Sequence, residues 1–282
     1  MRILLTGAKG MLGRHLAREL EGHELLPVDI DDFDLADAVA VERAVAAFEP
    51  GTVIHCAAMT AVDRAEAEPD AAFRVNAVGG INIAASCQRH GARLIAMSTD
   101  YVFSGDLGRP YHEWDSPRPR TVYGQSKLAG EDGIRAHCPN HLILRLAWLY
   151  GAGGPSFVHA MLEMGGQDGP PLKVVEDQRG NPTSALAVAE RLVRLLDIPL
   201  VGTMHFSCSG ETTWYGFAKE IFAQWGLAKR ELTPCTTGEF PRPAPRPANS
   251  CLERRRLRLA GQPDMPDWRD ALEKFRKAYP DG

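Results

Sequence analysis

The chain has 282 residues, 44% of them hydrophobic and 24% charged, with a net charge of -4. That length supports one large or two modest domains, and the mildly acidic balance excludes the extended basic surface that nucleic-acid binding needs, leaving a small molecule as the expected partner. No apolar stretch reaches membrane-span length, the N-terminus lacks a signal-peptide layout, and six cysteines without a close pair argue against a disulfide framework or a zinc site, so the expected location is cytoplasmic.

From the N-terminus, the apolar run at 3–6 reads as a buried strand, Gly7-Ala8-Lys9-Gly10-Met11-Leu12-Gly13 follows, and His15 to Leu20 reads as an amphipathic helix. Strand end, glycine turn and helix start coincide. Glycines let a backbone turn tightly and approach a pyrophosphate, whose charge is met by free N–H groups and the positive end of the helix dipole. On spacing alone, Gly7, Gly10 and Gly13 also fit an ordinary tight turn. A second strand at 25–28 ends at Asp29, about twenty residues past the glycines, where a dinucleotide fold places a carboxylate on the adenosine ribose.

Further strands are expected at 52–56, 94–98 and 142–146, with helical patterns over 38–48 and 70–90 between them. This alternation predicts an α/β fold, a Rossmann-type doubly wound parallel sheet with its ligand at the carboxyl ends of the strands. Residues 1–147 read as the dinucleotide-binding domain and 148–282 as mainly a smaller, irregular α/β substrate lobe, with 174–196 packing back onto the first. Within that lobe, 151–154, 165–171 and 240–247 are rich in Gly and Pro and read as loops, and 185–196, 215–225 and 268–278 as helices. Arg254, Arg255, Arg256 and Arg258 read as a solvated helix face.

Chemistry concentrates at the end of the fourth expected strand and the helix after it. Ser98-Thr99-Asp100 sets hydroxyls at a strand's carboxyl end, and in Tyr123-Gly124-Gln125-Ser126-Lys127 the spacing puts phenol and ammonium one helical turn apart. A nearby ammonium stabilises a phenolate, which would let Tyr123 act as a general acid, a role typically worth about 10²- to 10⁴-fold. Alone, such a pair is also an ordinary exposed helix pair; with Thr99 close by, the two hydroxyls together can meet a carbonyl oxygen. Trp148, just past a strand end, reads equally as a flat wall for a sugar or base and as a core aromatic. Arg246, before Pro247, suits phosphate oxygens or a plain surface.

The glycine pattern, the Ser-Thr pair and Tyr-x-x-x-Lys together resemble the extended short-chain dehydrogenases/reductases. Ala58-Met59-Thr60-Ala61-Val62-Asp63, Ser98-Thr99-Asp100-Tyr101-Val102-Phe103, Lys127-Leu128-Ala129-Gly130-Glu131, Asp177-Gln178-Arg179-Gly180-Asn181-Pro182-Thr183 and Arg246-Pro247-Ala248-Asn249-Ser250 narrow the resemblance, nearly end to end, to the dTDP-4-dehydrorhamnose reductase family. The resemblance implies reduction of the C4 ketone of dTDP-4-dehydro-6-deoxy-L-mannose by NADH or NADPH. By it Tyr123 donates the proton, Lys127 holds the nicotinamide ribose and lowers the Tyr123 pKa, and Thr99 orients the carbonyl. Gly7, Gly10, Met11, Leu12 and Gly13 belong to the cofactor loop, Asp29 to the adenosine ribose, Asp34 and Leu35 to the adenine region, and Ala58, Met59 and Thr60 to the path toward the nicotinamide. Thr99, Asp100 and Trp148 would contact the substrate, with Arg246 a further candidate.

Two departures matter. Some family members hold magnesium between subunits through glutamates, one of them two residues past the third glycine, where this chain has His15; Ser184-Ala185-Leu186-Ala187 offers no carboxylate before Glu190 at the second place. No magnesium site is expected, and the chain is expected to be a monomer or weak homodimer. The cluster Asp29, Asp31, Asp32 and Asp34 repels a 2′-phosphate and favours NADH, with Lys9 or Arg14 a partial offset. Rival readings are a reductase of another nucleotide-4-keto-6-deoxyhexose, a sugar-nucleotide dehydratase, which carries a glutamate where Tyr101 stands, an epimerase, which retains its nicotinamide, and a non-catalytic regulatory subunit of the methionine adenosyltransferase beta type, against which the intact Thr99, Tyr123 and Lys127 argue.

Overall fold

The computed structural model describes residues 1–281. The first half lays down β1 (Arg2–Thr6), α1 (Met11–Glu19), β2 (Glu24–Val28), α2 (Ala38–Phe48) and β3 (Thr52–His55). After these come α3 (Val62–Ala67), α4 (Pro69–Phe73), a π-helical turn (Arg74–Val78), α5 (Gly79–His90), β4 (Arg93–Thr99), α6 (Val122–His137) and β5 (His141–Leu146). The second half adds β6 (Leu149–Tyr150), α7 (Phe157–Gly165), β7 (Leu172–Val175), β8 (Arg179–Gly180), β9 (Thr183–Ser184), α8 (Ala185–Val193) and β10 (Gly202–His205). Finally come β11 (Thr212–Thr213), α9 (Trp214–Trp225), β12 (Leu232–Cys235), α10 (Arg255–Leu259) and α11 (Trp268–Ala278).

Every residue of β3 and β5 is buried, as is all of β4 beyond Arg93, which is why these strands read as unbroken apolar runs. They lie in a six-stranded sheet ordered β10-β5-β4-β3-β1-β2, with every neighbouring pair parallel. The expected strands agree with the observed ones to within a residue at each end. β10, four residues among loops, carries too short an apolar signal to be read in advance, yet it closes the sheet beside β5. Because β2 and β3 flank β1 on opposite sides, the chain reverses direction there, and the crevice above that switch point is the natural place for a ligand.

The helical pattern at 70–90 resolves into α4, the π-helical turn and α5 in one continuous run, and the extra residue in the turn brings Asn76 inside, 3% exposed. Three elements, α6, β4 and β5, are bolted together beneath the crevice. Glu131 of α6 accepts from Arg145 of β5 through Nε (2.8 Å) and Nη2 (2.6 Å) and from the Ser98 hydroxyl of β4 (2.6 Å), with Arg135 on the same carboxylate. Burial alone pushes the Glu131 carboxyl up, but the bonds from Arg145 and Ser98, with Arg135 alongside, hold it net below the usual range.

One apolar core runs through both halves: Leu12 and Leu16 of α1 and Leu20 just after it share it with Val188 and Leu192 of α8 and Leu272 and Phe275 of α11. His15 lies on this buried face of α1, 3% exposed, edge-on to Tyr279 at 5.5 Å, and Arg18 donates to the Tyr279 hydroxyl (2.6 Å). The arginine cluster is only partly the solvated face expected. Arg254 is 7% exposed and donates to Asp264 and to the Cys208 and Leu252 carbonyls, and Arg256 donates to the Thr203 and Val201 carbonyls, so both cross-brace loops. Arg255 and Arg258 do reach outward, to Glu253.

Candidate active site

A cleft of about 880 Å³ opens at the carboxyl ends of β1 to β5. Its floor is the glycine loop. Gly7 has φ of +69°, a left-handed conformation that disfavours side chains, and a Cβ there would stand 2.6 Å from the Ala57 amide nitrogen at the end of β3. At Gly13 a Cβ would run into the Gly7 carbonyl. α1 begins without a side-chain cap and without an acidic residue in its first turn, so its leading N–H groups and positive dipole end are left for an anion. Bare backbone, close approach and an uncapped helix start fit a pyrophosphate.

Asp29 stands at the tip of β2, its carboxylate fixed by the Lys9 amide on Oδ2 and the Ile30 amide on Oδ1, both at 2.8 Å. Lys9 Nζ is engaged with Asp31. Asp34 pairs with Arg74 (2.6 Å), and its carboxyl lies below the usual range because it accepts from the Ala36 amide and the Arg74 guanidinium. Leu35, Ala58, Met59 and Thr60 line the same cleft. Asn76, which no sequence motif announced, grips both Met59 backbone groups (2.8 and 3.1 Å) and donates to Ser126 Oγ (2.9 Å), clamping the β3 loop to α6.

α6 starts at Thr121, whose hydroxyl accepts from the Gly124 amide (3.0 Å), and its second and sixth residues are Tyr123 and Lys127. Gly124 lets this turn pass against the Tyr101 carbonyl. Burial pushes the Tyr123 phenol up to about 12, with a hydrogen bond to Thr99 pulling the other way. Lys127 Nζ donates to the Met97 carbonyl (2.8 Å), and burial lowers its own pKa to about 8. A buried phenol that keeps its proton at neutrality is a proton donor in waiting. Thr99 Oγ1 donates to Asp100 Oδ1 (2.9 Å), while Oδ2 of this 4%-exposed residue has no hydrogen-bond partner, and burial pushes its carboxyl up to about 6.

Trp148 closes the far end of the cleft from a left-handed backbone, φ +47°, a conformation that costs a non-glycine residue roughly 1–2 kcal/mol. Its indole stacks on Trp214 with ring centres 3.6 Å apart and planes 7° from parallel. Arg246, by contrast, is not brought to the cleft wall. Its two Nη atoms are bound to Asp63 of α3 (2.8 and 2.9 Å), so the guanidinium ties the 240–247 loop to the first half instead of facing a phosphate.

Comparison with known proteins places this cleft. The family model described as the RmlD substrate binding domain matches residues 1–280. A dTDP-4-dehydrorhamnose reductase of Streptomyces griseus is 43% identical over 279 residues, 96% of this chain and 91% of that one. The chain belongs to the dTDP-4-dehydrorhamnose reductase family. Among solved structures, the member from Clostridium acetobutylicum superposes with a TM-score of 0.96 at 41% identity, covering 99% of this chain and all of that one. The Bacillus anthracis member, solved in complex with NADP, gives 0.95 at 38% identity over 98% and 99%. This chain is accordingly a nicotinamide-dependent oxidoreductase acting on a nucleotide sugar in dTDP-rhamnose biosynthesis. Among the described residues, no helix is long and apolar enough to cross a membrane.

Proposed function

We propose that the chain reduces the C4 ketone of dTDP-4-dehydro-6-deoxy-L-mannose to give dTDP-L-rhamnose, and that Tyr123, Thr99 and Lys127 carry the chemistry. The supporting observation is that one cleft gathers a glycine loop fit for a dinucleotide, a protonated phenol, a strand-end hydroxyl and a buried ammonium. When bound, the reduced nicotinamide supplies the hydride. Thr99, turning its one hydroxyl proton away from Asp100 Oδ1, and Tyr123 both donate to the ketone oxygen, and Tyr123 Oη gives it a proton as negative charge builds there. Lys127, held on the Met97 carbonyl, keeps a positive charge beside the ribose and the developing phenolate. Asp100, which lines the cleft at the strand end, orients a sugar hydroxyl, and Trp148 walls the ring.

The same reading assigns 1–147 to the dinucleotide and 148–282 mainly to the nucleotide sugar. Asp29, presented at the β2 tip, takes the ribose hydroxyls, and the acidic cluster around it favours NADH; of the two cations that would offset it, Lys9 is engaged by Asp31 and Arg14 donates to the Lys9 carbonyl. A kcat/KM for NADPH tenfold above that for NADH would reverse this preference. Six free thiols suit a reducing compartment such as the cytoplasm. His15 is buried on α1 against Tyr279, which supports a magnesium-free monomer or weak homodimer, to be checked by sedimentation. The direct test of function is NADH oxidation with dTDP-4-dehydro-6-deoxy-L-mannose in wild type and Tyr123→Phe; equal rates would sink the mechanism.

A further inference from the structure

The strained backbone at Trp148 stands out among the described residues, where only one other non-glycine residue, Glu49, has positive φ, and that one merely ends α2. A left-handed tryptophan persists only where its surroundings over-determine it, and such strain tends to sit where a ligand is gripped. The surroundings here come from three remote stretches. Trp214, the first residue of α9, stacks on the indole. Gly180 of β8 leaves the room the ring needs, since a Cβ there would overlap Trp148 Nε1 and its neighbouring carbons. Ser250 Oγ accepts from Trp148 Nε1 (3.0 Å) and donates to the Arg179 carbonyl (3.2 Å).

Trp214 is itself held. Its Nε1 donates to Gln178 Oε1 (3.1 Å), Gln178 Nε2 donates to Thr237 Oγ1 (2.9 Å), and Phe157 packs on the Trp214 ring at 4.7 Å. β11, immediately before it, pairs antiparallel with β8, so Gly180 and Trp214 are fixed to each other by the backbone. Trp214 does not line the cleft; Trp148 does. Gln178, Gly180 and Ser250, to which the catalytic reading gives no task, thereby frame a single indole.

We infer that Trp214 is a positioning residue for the sugar-nucleotide site, holding the Trp148 indole as a fixed wall through the stack and leaving the dinucleotide end untouched. The inference rests on the reading that Trp148 contacts the sugar nucleotide. An indole that needs no ordering when the sugar arrives spares the complex that entropic cost, so loosening it weakens sugar binding before it slows chemistry.

The test is a double-variant cycle on Trp148→Ala, Trp214→Ala and the pair, with Trp214→Phe as the conservative rescue, measured as KM for dTDP-4-dehydro-6-deoxy-L-mannose, KM for NADH and kcat. Trp214→Ala is expected to raise the sugar-nucleotide KM about tenfold, with NADH KM changed less than twofold and kcat less than threefold, and Trp214→Phe is expected to recover most of the loss. Since Trp214 acts through Trp148, the pair should be no worse than Trp148→Ala alone. Full additivity in the pair, an unchanged sugar KM in Trp214→Ala, or a parallel rise in NADH KM would each overturn the inference. If Trp214→Ala fails to fold, Trp214→Leu takes its place in the cycle: a folded Leu variant with the sugar KM raised at least about threefold and NADH KM unchanged supports the inference, and one with an unchanged sugar KM overturns it. Should Trp148→Ala itself leave the sugar KM unchanged, the assignment of Trp148 to the substrate fails first, and the role of Trp214 with it.

Discussion

The two ends of the cleft are built in different ways. At the end proposed for the dinucleotide, the residues concerned are neighbours in sequence: β1, the glycine loop and α1 form one unbroken stretch, and what it offers is bare backbone. At the Trp148 end, one side chain is shaped by Gly180, Trp214 and Ser250, which lie 32, 66 and 102 positions further along the chain. A site made of backbone is written locally and can be read locally. One made of stacked and hydrogen-bonded side chains exists only once the fold has formed.

The largest expected effect tests the ground between the two ends. Tyr123→Phe should lower kcat by about 10²- to 10⁴-fold while leaving both KM values within a few-fold, because it removes a proton donor and little else. A comparable rise in either KM would mean that the phenol belongs to one end and not to the junction. Next, Gly7→Val puts a branched side chain at φ +69° against the Ala57 backbone and should raise the NADH KM at least about tenfold, with the sugar KM barely moved. If both KM values rose together, the ends would not be separable.

A smaller effect concerns stability. Asp100 titrates near 6 in the fold against 3.8 for the free side chain, so the folded protein binds the proton more tightly, and stability falls as pH rises from about 4 to 6. Two pKa units correspond to about 3 kcal/mol. Asp100→Asn should therefore be more stable than wild type by up to about that amount at pH 7, with the gain vanishing below pH 4, as urea titrations at the two pH values would show. The smallest effect is expected at Asp29→Asn, which should shift the NADH-to-NADPH preference by a few-fold toward NADPH, since one carboxylate among several is removed. No shift would take the acidic cluster out of cofactor choice.

The sheet was legible because its strands are buried on both faces and so carry continuous apolar runs, and the helix proposed to carry the chemistry because Tyr123 and Lys127 keep a one-turn spacing. Three things were hidden for physical reasons. Asn76 turns inward only because a π-helical turn shifts the helical phase, which a 3.6-residue pattern cannot register. Arg246 looked free because its partner Asp63 is 183 residues away. Trp214 sits at the head of an amphipathic helix like any core aromatic, and its task depends on a stack no spacing encodes.

The contact of α1 with α8 and α11 carries a consequence for how the molecule comes apart. Removing the second half would strip α1 of the apolar cover on Leu12, Leu16 and Leu20 and leave Tyr279 and Arg18 without each other. The division of labour between cofactor and sugar is thus not a division of folding. Despite a length that invites two melting events, the chain should melt as one cooperative unit, with calorimetric and van't Hoff enthalpies equal.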